Sequence, residues 1–204
     1  HFLDDENQEW KQGDVNFLIE LNESLWVTHE GGLSRLKASE NGAFPEPEEA
    51  IFERIIFDDL EKGTYYNFLF EGPGASLWIG TSSGLIHIPN PDSPGQYRFF
   101  PYPADYFPVE WEGISRKIIA DPDGKLWIAT YKGIVVFDPE AGVYQLLRND
   151  PDNTESLSFN NIGDICLDEG GVIWLGTTGM GIDKYLSKGK PFHHHLDKQE
   201  NKKV

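Results

Sequence analysis

Across 204 residues the chain carries 17 Lys and Arg against 34 Asp and Glu, a formal net charge of −17. A surface of that sign repels phosphate backbones, which excludes direct nucleic-acid binding as a function class. Hydrophobic residues make up 39% and charged residues 25%, the balance of a globular chain, and no apolar run approaches the roughly 20 residues that span a bilayer, so this segment is expected to make no direct membrane contact.

Aromatic residues reach 13% and glycine numbers 21, a pairing that suits short strands and tight turns better than a helical bundle. The one cysteine, Cys166, excludes an intrachain disulfide. It sits in an alternating apolar run and is expected as a small buried hydrophobe. A phrase built on tryptophan recurs along the chain. Its copies are Ser24-Leu25-Trp26-Val27-Thr28, Ser76-Leu77-Trp78-Ile79-Gly80-Thr81, Lys125-Leu126-Trp127-Ile128-Ala129-Thr130 and Val172-Ile173-Trp174-Leu175-Gly176-Thr177. The period is roughly fifty residues, which signals stacked supersecondary repeats. Each such unit buries its apolar face against its neighbours.

Taken in order, His1-Phe2-Leu3-Asp4-Asp5 resembles the end of an outer strand, so residues 1–9 are expected to close a preceding unit. The first repeat, 10–58, reads as strands at 15–20, 24–28, 32–37 and 50–57. The second, 59–101, places them at 65–71, 76–81, 84–88 and 96–100. The third, 102–148, places them at 114–120, 125–130, 134–137 and 143–147, with turns at Asp121-Pro122-Asp123-Gly124 and Asp138-Pro139-Glu140-Ala141-Gly142. The fourth, 149–197, places them at 161–167, 172–177, 181–185 and 191–196, and 198–204 is a polar tail. Turn signals about every eight to twelve residues, with β-branched and aromatic runs between, predict an all-β meander. Four strands per repeat of this length make a propeller blade. The predicted fold class is all-β, a β-propeller with four four-stranded blades. Trp26, Trp78, Trp127 and Trp174 are expected to pack blade on blade, since a large ring at a fixed strand position is what joins stacked sheets. Gly32, Gly84, Gly133 and Gly181 follow the second strands and are expected in tight turns at positive φ.

The phrase Asp-x-x-Gly-x-Leu-Trp-Ile-Gly-Thr-x-x-Gly-Leu carries a family resemblance. Residues 121–134 and 168–182 follow it closely, and 76–85 follow its core. The run Asn149-Asp150-Pro151-Asp152-Asn153-Thr154-Glu155-Ser156-Leu157 looks like the linker such repeats place before a new blade. The chain resembles the two-component regulator propeller repeats, which form N-terminal sensor regions of bacterial hybrid two-component histidine kinases. The resemblance implies a seven-bladed ring of which these blades are a segment. It also implies a periplasmic location, as the sensor region of an inner-membrane protein. The implied partners are a carbohydrate or other small-molecule signal and downstream signalling domains of the same chain. The first repeat departs from the pattern with Leu21-Asn22-Glu23 at its turn and Val27-Thr28-His29 after its tryptophan. The second has Glu71-Gly72-Pro73-Gly74-Ala75 where Asp-x-x-Gly is expected.

Catalytic motifs are absent. There is no Gly-x-Ser-x-Gly, no phosphate-cradling glycine loop and no His-Glu-x-x-His, and no cofactor is implied. The run His193-His194-His195 is not expected to bind a metal, because strand neighbours point to opposite faces. Blade geometry places the loops at 29–31, 58–64, 82–83, 101–113, 131–132, 149–160 and 178–180 on one common face. The stretch 101–112 stands out there, with four aromatics, three prolines and three carboxylates. Aromatic faces stack on sugar rings and carboxylates accept hydroxyl hydrogen bonds, so Tyr102, Tyr106, Glu110 and Trp111 are candidate ligand contacts. The competing reading is that these rings anchor a long loop to the blade edge.

Three functions fit. The first is a non-catalytic sensor that passes ligand or partner binding to downstream domains. The second is an enzyme similar to streptogramin-lyase propellers, a lyase or lactonase that uses a metal and a histidine base at the channel mouth. The innermost strands offer Glu20, Glu71 and Asp164 but no histidine, which disfavours it. The third is an interaction module that binds a protein on the flat face.

Overall fold

The structure is a computed structural model that describes residues 3–4, 15–39, 41–46, 49–61, 63–103, 117–186 and 192–195. The described residues form four sheets. The first holds β1 (Leu3–Asp4), β2 (Val15–Leu21), β3 (Ser24–His29), β4 (Gly32–Lys37) and β5 (Ile51–Ile55). The second holds β6 (Tyr66–Gly72), β7 (Ser76–Thr81), β8 (Gly84–Ile88) and β9 (Arg98–Pro101). The third holds β10 (Lys117–Ala120), β11 (Leu126–Thr130), β12 (Gly133–Asp138) and β13 (Val143–Leu147). The fourth holds β14 (Ile162–Leu167), β15 (Ile173–Thr177), β16 (Gly181–Tyr185) and β17 (Phe192–His195). Each sheet is an antiparallel meander in chain order, except that β1 adds to the first as a fifth strand. It runs parallel to β5, pairing Leu3 with Ile51. Leu3 and Asp4, of the segment expected to close a preceding unit, therefore lie on the outer edge of the first sheet.

The repeated phrase builds the same hairpin in the third and fourth sheets. Asp121 Oδ1 accepts from the amides of Asp123 and Lys125, at 3.0 and 2.9 Å, and closes the turn between β10 and β11. Its Oδ2 accepts from the Trp127 indole at 2.9 Å. Asp168 repeats the arrangement, accepting from the Gly170 and Val172 amides and from the Trp174 indole at 2.8 Å. One carboxylate thus fixes both the turn and the ring. Six residues before Trp78 stands Gly72, and a Cβ there would lie 2.6 Å from the indole. The first sheet uses a shorter turn, with Asn22 and Glu23 at positive φ, and the Trp26 indole donates to the Leu21 carbonyl at 3.3 Å.

The threonine that ends the phrase ties the next turn. Thr81 Oγ1 donates to the Gly84 carbonyl, Thr130 Oγ1 to that of Gly133 and Thr177 Oγ1 to that of Gly181, each at 2.8 Å. Gly32, Gly133 and Gly181 adopt positive φ in these turns. Gly84 does not, which corrects the expectation drawn for it. Its constraint is space: a Cβ would sit 2.3 Å from the Phe100 carbonyl oxygen.

By contacts along the chain, the protein divides into two compact units, His1–Ile114 and Ser115–Val204. In the first unit, Trp26, Leu33 and Ile55 of one sheet pack against Leu69, Leu77, Ile79, Ile86 and Ile88 of the next. Side chains alternate across a strand, so Val27 points the other way. It joins Leu36, Ala50 and Phe52 in a smaller cluster with Phe44 against it. In the second unit, Trp127, Ala129, Ile134 and Val136 pack against Ile162, Ile165, Ile173 and Leu175. In both units the tryptophan face of one sheet receives the residues that flank the tryptophan of the following sheet.

Leu157 of the linker inserts into that second core and is fully buried. The linker is folded around it: the Asn149 side-chain amide donates to the Leu157 carbonyl, and the Asp150 amide donates to Ser156 Oγ. The buried Asp183 carboxylate accepts from the Ser158 amide at 2.8 Å.

Within the second unit, no other described sheet covers the tryptophan face of the fourth sheet. Cross-strand partners share a face, and here Cys166, Trp174 and Lys184 are aligned, beside Gly176 and Ile182. Ile182 is 48% exposed, whereas Ile134 at the same place in the third sheet is 0% exposed. Cys166 is likewise exposed, contrary to the expectation of a buried residue. Alternation was present, but it does not say which face of a strand is covered.

Candidate functional site

Each tryptophan sits on the second strand of its sheet and faces a different cross-strand neighbour. Trp26 pairs with Arg35, whose guanidinium lies 5.2 Å from the ring centre. Trp78 pairs with His87 and stacks on it at 4.1 Å. Trp127 pairs with Val136 and meets Tyr185 of the following sheet at 4.6 Å. Trp174 pairs with Lys184, whose ammonium lies 5.2 Å above the ring. Trp26, Trp78 and Trp127 are buried and Trp174 is half-buried.

Of the residues singled out in the 101–112 stretch, Tyr102 is half-buried just beyond β9, its amide donating to the Ser83 carbonyl at 3.0 Å. Burial pushes its phenol well above the ordinary tyrosine range. Tyr106, Glu110 and Trp111 lie outside the described residues. On the first strands of the antiparallel meanders, Glu20 and Glu71 are exposed, and Asp164 pairs with Lys117 at 2.8 Å. The hydrogen bond from Lys117 holds the Asp164 carboxyl below its usual range. His193, His194 and His195 pair with Lys184, Asp183 and Ile182 in turn. Among the described residues no three His, Cys, Asp or Glu side chains converge as a metal cage.

A hollow opens on the described surface of each unit. In the first unit, a cavity of about 430 Å³ lies between the β3–β4 turn and the connection from β5 to β6. Its polar groups come from Glu30, Arg54, Glu61, Thr64 and Tyr66, and its apolar wall includes Phe57 and Leu60. The Arg54 guanidinium reaches over the strand end and donates to the Gly31 carbonyl at 2.8 Å. Beside it His29 is held by the Gly31 amide at Nδ1 and by Ser34 Oγ at Nε2. Burial, helped by the Arg54 charge, lowers the His29 pKa. The ring is therefore neutral at neutral pH, and among the described residues that line the cavity Arg54 carries the positive charge. Burial raises the Tyr66 phenol, against an opposing pull from Arg54.

In the second unit, a hollow of about 600 Å³ runs between the two sheets, lined by Asp121, Trp127, Arg148, Glu155, Tyr185 and Phe192 among others. Its aromatic floor belongs to the shared core.

Two segments of the first cavity, the turn at 29–31 and the connection at 58–64, belong to the loops ranked from the sequence as one face. Arg54 and Tyr66 were not anticipated. Nothing in the local pattern marks them, since both lie in strand-like runs; only the fold brings them together.

Residues 156–179 match the family described as two component regulator propeller. The match spans the end of the linker, β14, β15 and the Asp168 clamp. This segment is similar to a two-component regulator propeller repeat. No curated protein matches the chain. Solved structures share the fold at low identity. The extracellular domain of BT4673 from B. thetaiotaomicron, named as a hybrid two-component system, is 20% identical with a TM-score of 0.53, covering 84% of this chain and 27% of its own. A streptogramin B lyase is 17% identical with a TM-score of 0.62, covering 95% of this chain and 58% of its own. A catalytically inactive His-to-Ala variant of virginiamycin B lyase from Staphylococcus aureus is 16% identical with a TM-score of 0.52, covering 95% and 73%. The chain thus spans about a quarter of that extracellular domain and over half of the lyases. These likenesses establish a β-propeller fold, and the four sheets are its blades. Among the described residues no helix is long and apolar enough to cross a membrane.

Proposed function

We propose that the chain is a non-catalytic sensor segment of a bacterial two-component signalling protein, displayed outside the cytoplasm. In this reading the binding of a carbohydrate, another small molecule or a partner biases blade packing, and downstream domains read the change. The observation that carries it is the similarity of 156–179 to a regulator propeller repeat. The residues of that match are structural: Asp168 clamps the turn and Trp174, and Thr177 ties the next turn. The extracellular two-component domain with the same fold supports the location.

The lyase neighbours favour a second reading, an enzyme. It requires a base at the channel wall. The first strands of the meanders, β2, β6, β10 and β14, carry no histidine, and Asp164 is engaged by Lys117. The test is incubation with a streptogramin B, other lactones, esters and glycosides, each with divalent metals. The expected result is no product beyond the uncatalysed rate. Turnover that disappears in Glu71→Gln would overturn the sensor reading.

A further inference from the structure

We propose that the cavity between the β3–β4 turn and the β5–β6 connection binds a small hydroxylated carboxylate of the sugar-acid class, with Arg54 and Tyr66 taking the carboxylate. Among the described residues Arg54 makes no ion pair, and its one hydrogen bond is to the Gly31 carbonyl. That is unusual company for an arginine in a chain of net charge −17. A guanidinium presents five N–H donors in a planar fork that fits a carboxylate. One donor is used here, and among the described residues the others make no hydrogen bond. The Tyr66 hydroxyl also makes no hydrogen bond among the described residues, and Tyr66 lines the same space. The fork and the phenol together supply the donors an anionic group takes up.

The remaining groups define the rest of the ligand. Glu30 and Glu61 line the cavity as acceptors. Thr64 Oγ1 spends its proton on the Glu61 carbonyl at 2.8 Å, which leaves its oxygen as another acceptor. Acceptors of this kind need donors, and hydroxyl groups supply them without adding charge. A bare inorganic anion brings no donors and meets the two carboxylates as like charges. Phe57 stacks behind Tyr66 at 6.2 Å and, with Leu60, gives the cavity an apolar side for the C–H face of a ring. Tyr97 holds this wall in place, its ring edge-on to Phe57 at 4.9 Å and its hydroxyl accepting from the Asp58 amide. A volume of about 430 Å³ suits one monosaccharide-sized molecule.

The site stands apart from the sensor reading, since a propeller of any function can hold it. Calorimetric titration of the whole chain with glucuronate, glucose and sulfate tests it. Glucuronate is expected to bind at least about tenfold more tightly than glucose, which has a neutral hydroxymethyl group in place of the carboxylate, and than sulfate, which lacks the hydroxyls. Arg54→Met is expected to weaken glucuronate about tenfold or more, and Tyr66→Phe about fivefold. Tyr66→Phe keeps the ring stack, so an unchanged melting temperature separates lost binding from lost fold. Equal affinity for glucose and glucuronate, sulfate binding as tightly as glucuronate, absence of glucuronate binding, or full affinity in Arg54→Met would each overturn the proposal. None of these outcomes bears on turnover, which tests the sensor reading separately.

Discussion

Asp168 shows how one side chain can organise a repeat. Its carboxylate accepts from the Trp174 indole and from the Val172 and Gly170 amides, and these bonds, the indole's foremost, hold its pKa below the usual range. A depressed carboxyl pKa contributes stability that is complete above the unfolded value of about 3.9 and is lost as pH falls through the folded value. Asp168→Asn keeps an acceptor but not the charge. It is expected to melt below the wild type at pH 7, with the gap closing as pH drops below about 4. Melting temperatures across pH 2.5–7 (a range chosen around roughly that value) check this. A gap that stays constant would mean that the charge plays no part in the clamp. Asp121 was legible in the sequence as a turn signal, and Asp168 as the start of the repeated phrase. Their second bond, to an indole six residues on, was not, because it depends on the hairpin register that the fold supplies.

At the scale of the strand and sheet, the repeated phrase located the second strand of every blade, and its alternation implied two faces. It did not say which faces are covered. Trp127 and Ile134 meet the following sheet, whereas Trp174, Ile182 and Cys166 occupy a face that no other described sheet of their unit covers. The same substitution at equivalent positions should therefore differ in cost. Ile134→Ala removes a fully buried side chain and is expected to cost about 2–5 kcal/mol. Ile182→Ala removes one that already contacts water and is expected to cost about half as much or less. Denaturant unfolding of the two variants compares them directly. Equal losses would show that Ile182 is covered in solution. Gly84 teaches a related lesson. Its place after the second strand suggested a positive φ, yet the backbone there is ordinary, and the Phe100 carbonyl leaves no room for a side chain.

For the molecule as a whole, composition and period were enough to read an all-β repeat protein, and the four sheets follow that reading closely. The candidate site was less legible. The cavity draws on a turn, the end of one strand and the start of another, and Arg54 and Tyr66 carry no shared motif. The 101–112 stretch drew notice through its aromatic content, and it yields a prediction that the cavity does not. Tyr106→Ala combined with Trp111→Ala is expected to weaken binding of a neutral oligosaccharide about tenfold while the melting temperature holds. Unchanged affinity, or a collapse in melting temperature, would assign these rings to packing. The sensor account rests on reversible binding without chemistry. Equilibrium dialysis against a panel of oligosaccharides, with mass spectrometry of what is recovered, tests that most directly. The account predicts saturable binding of at least one member and recovery of that ligand chemically intact. Altered product accumulating beyond the amount of protein present would contradict it.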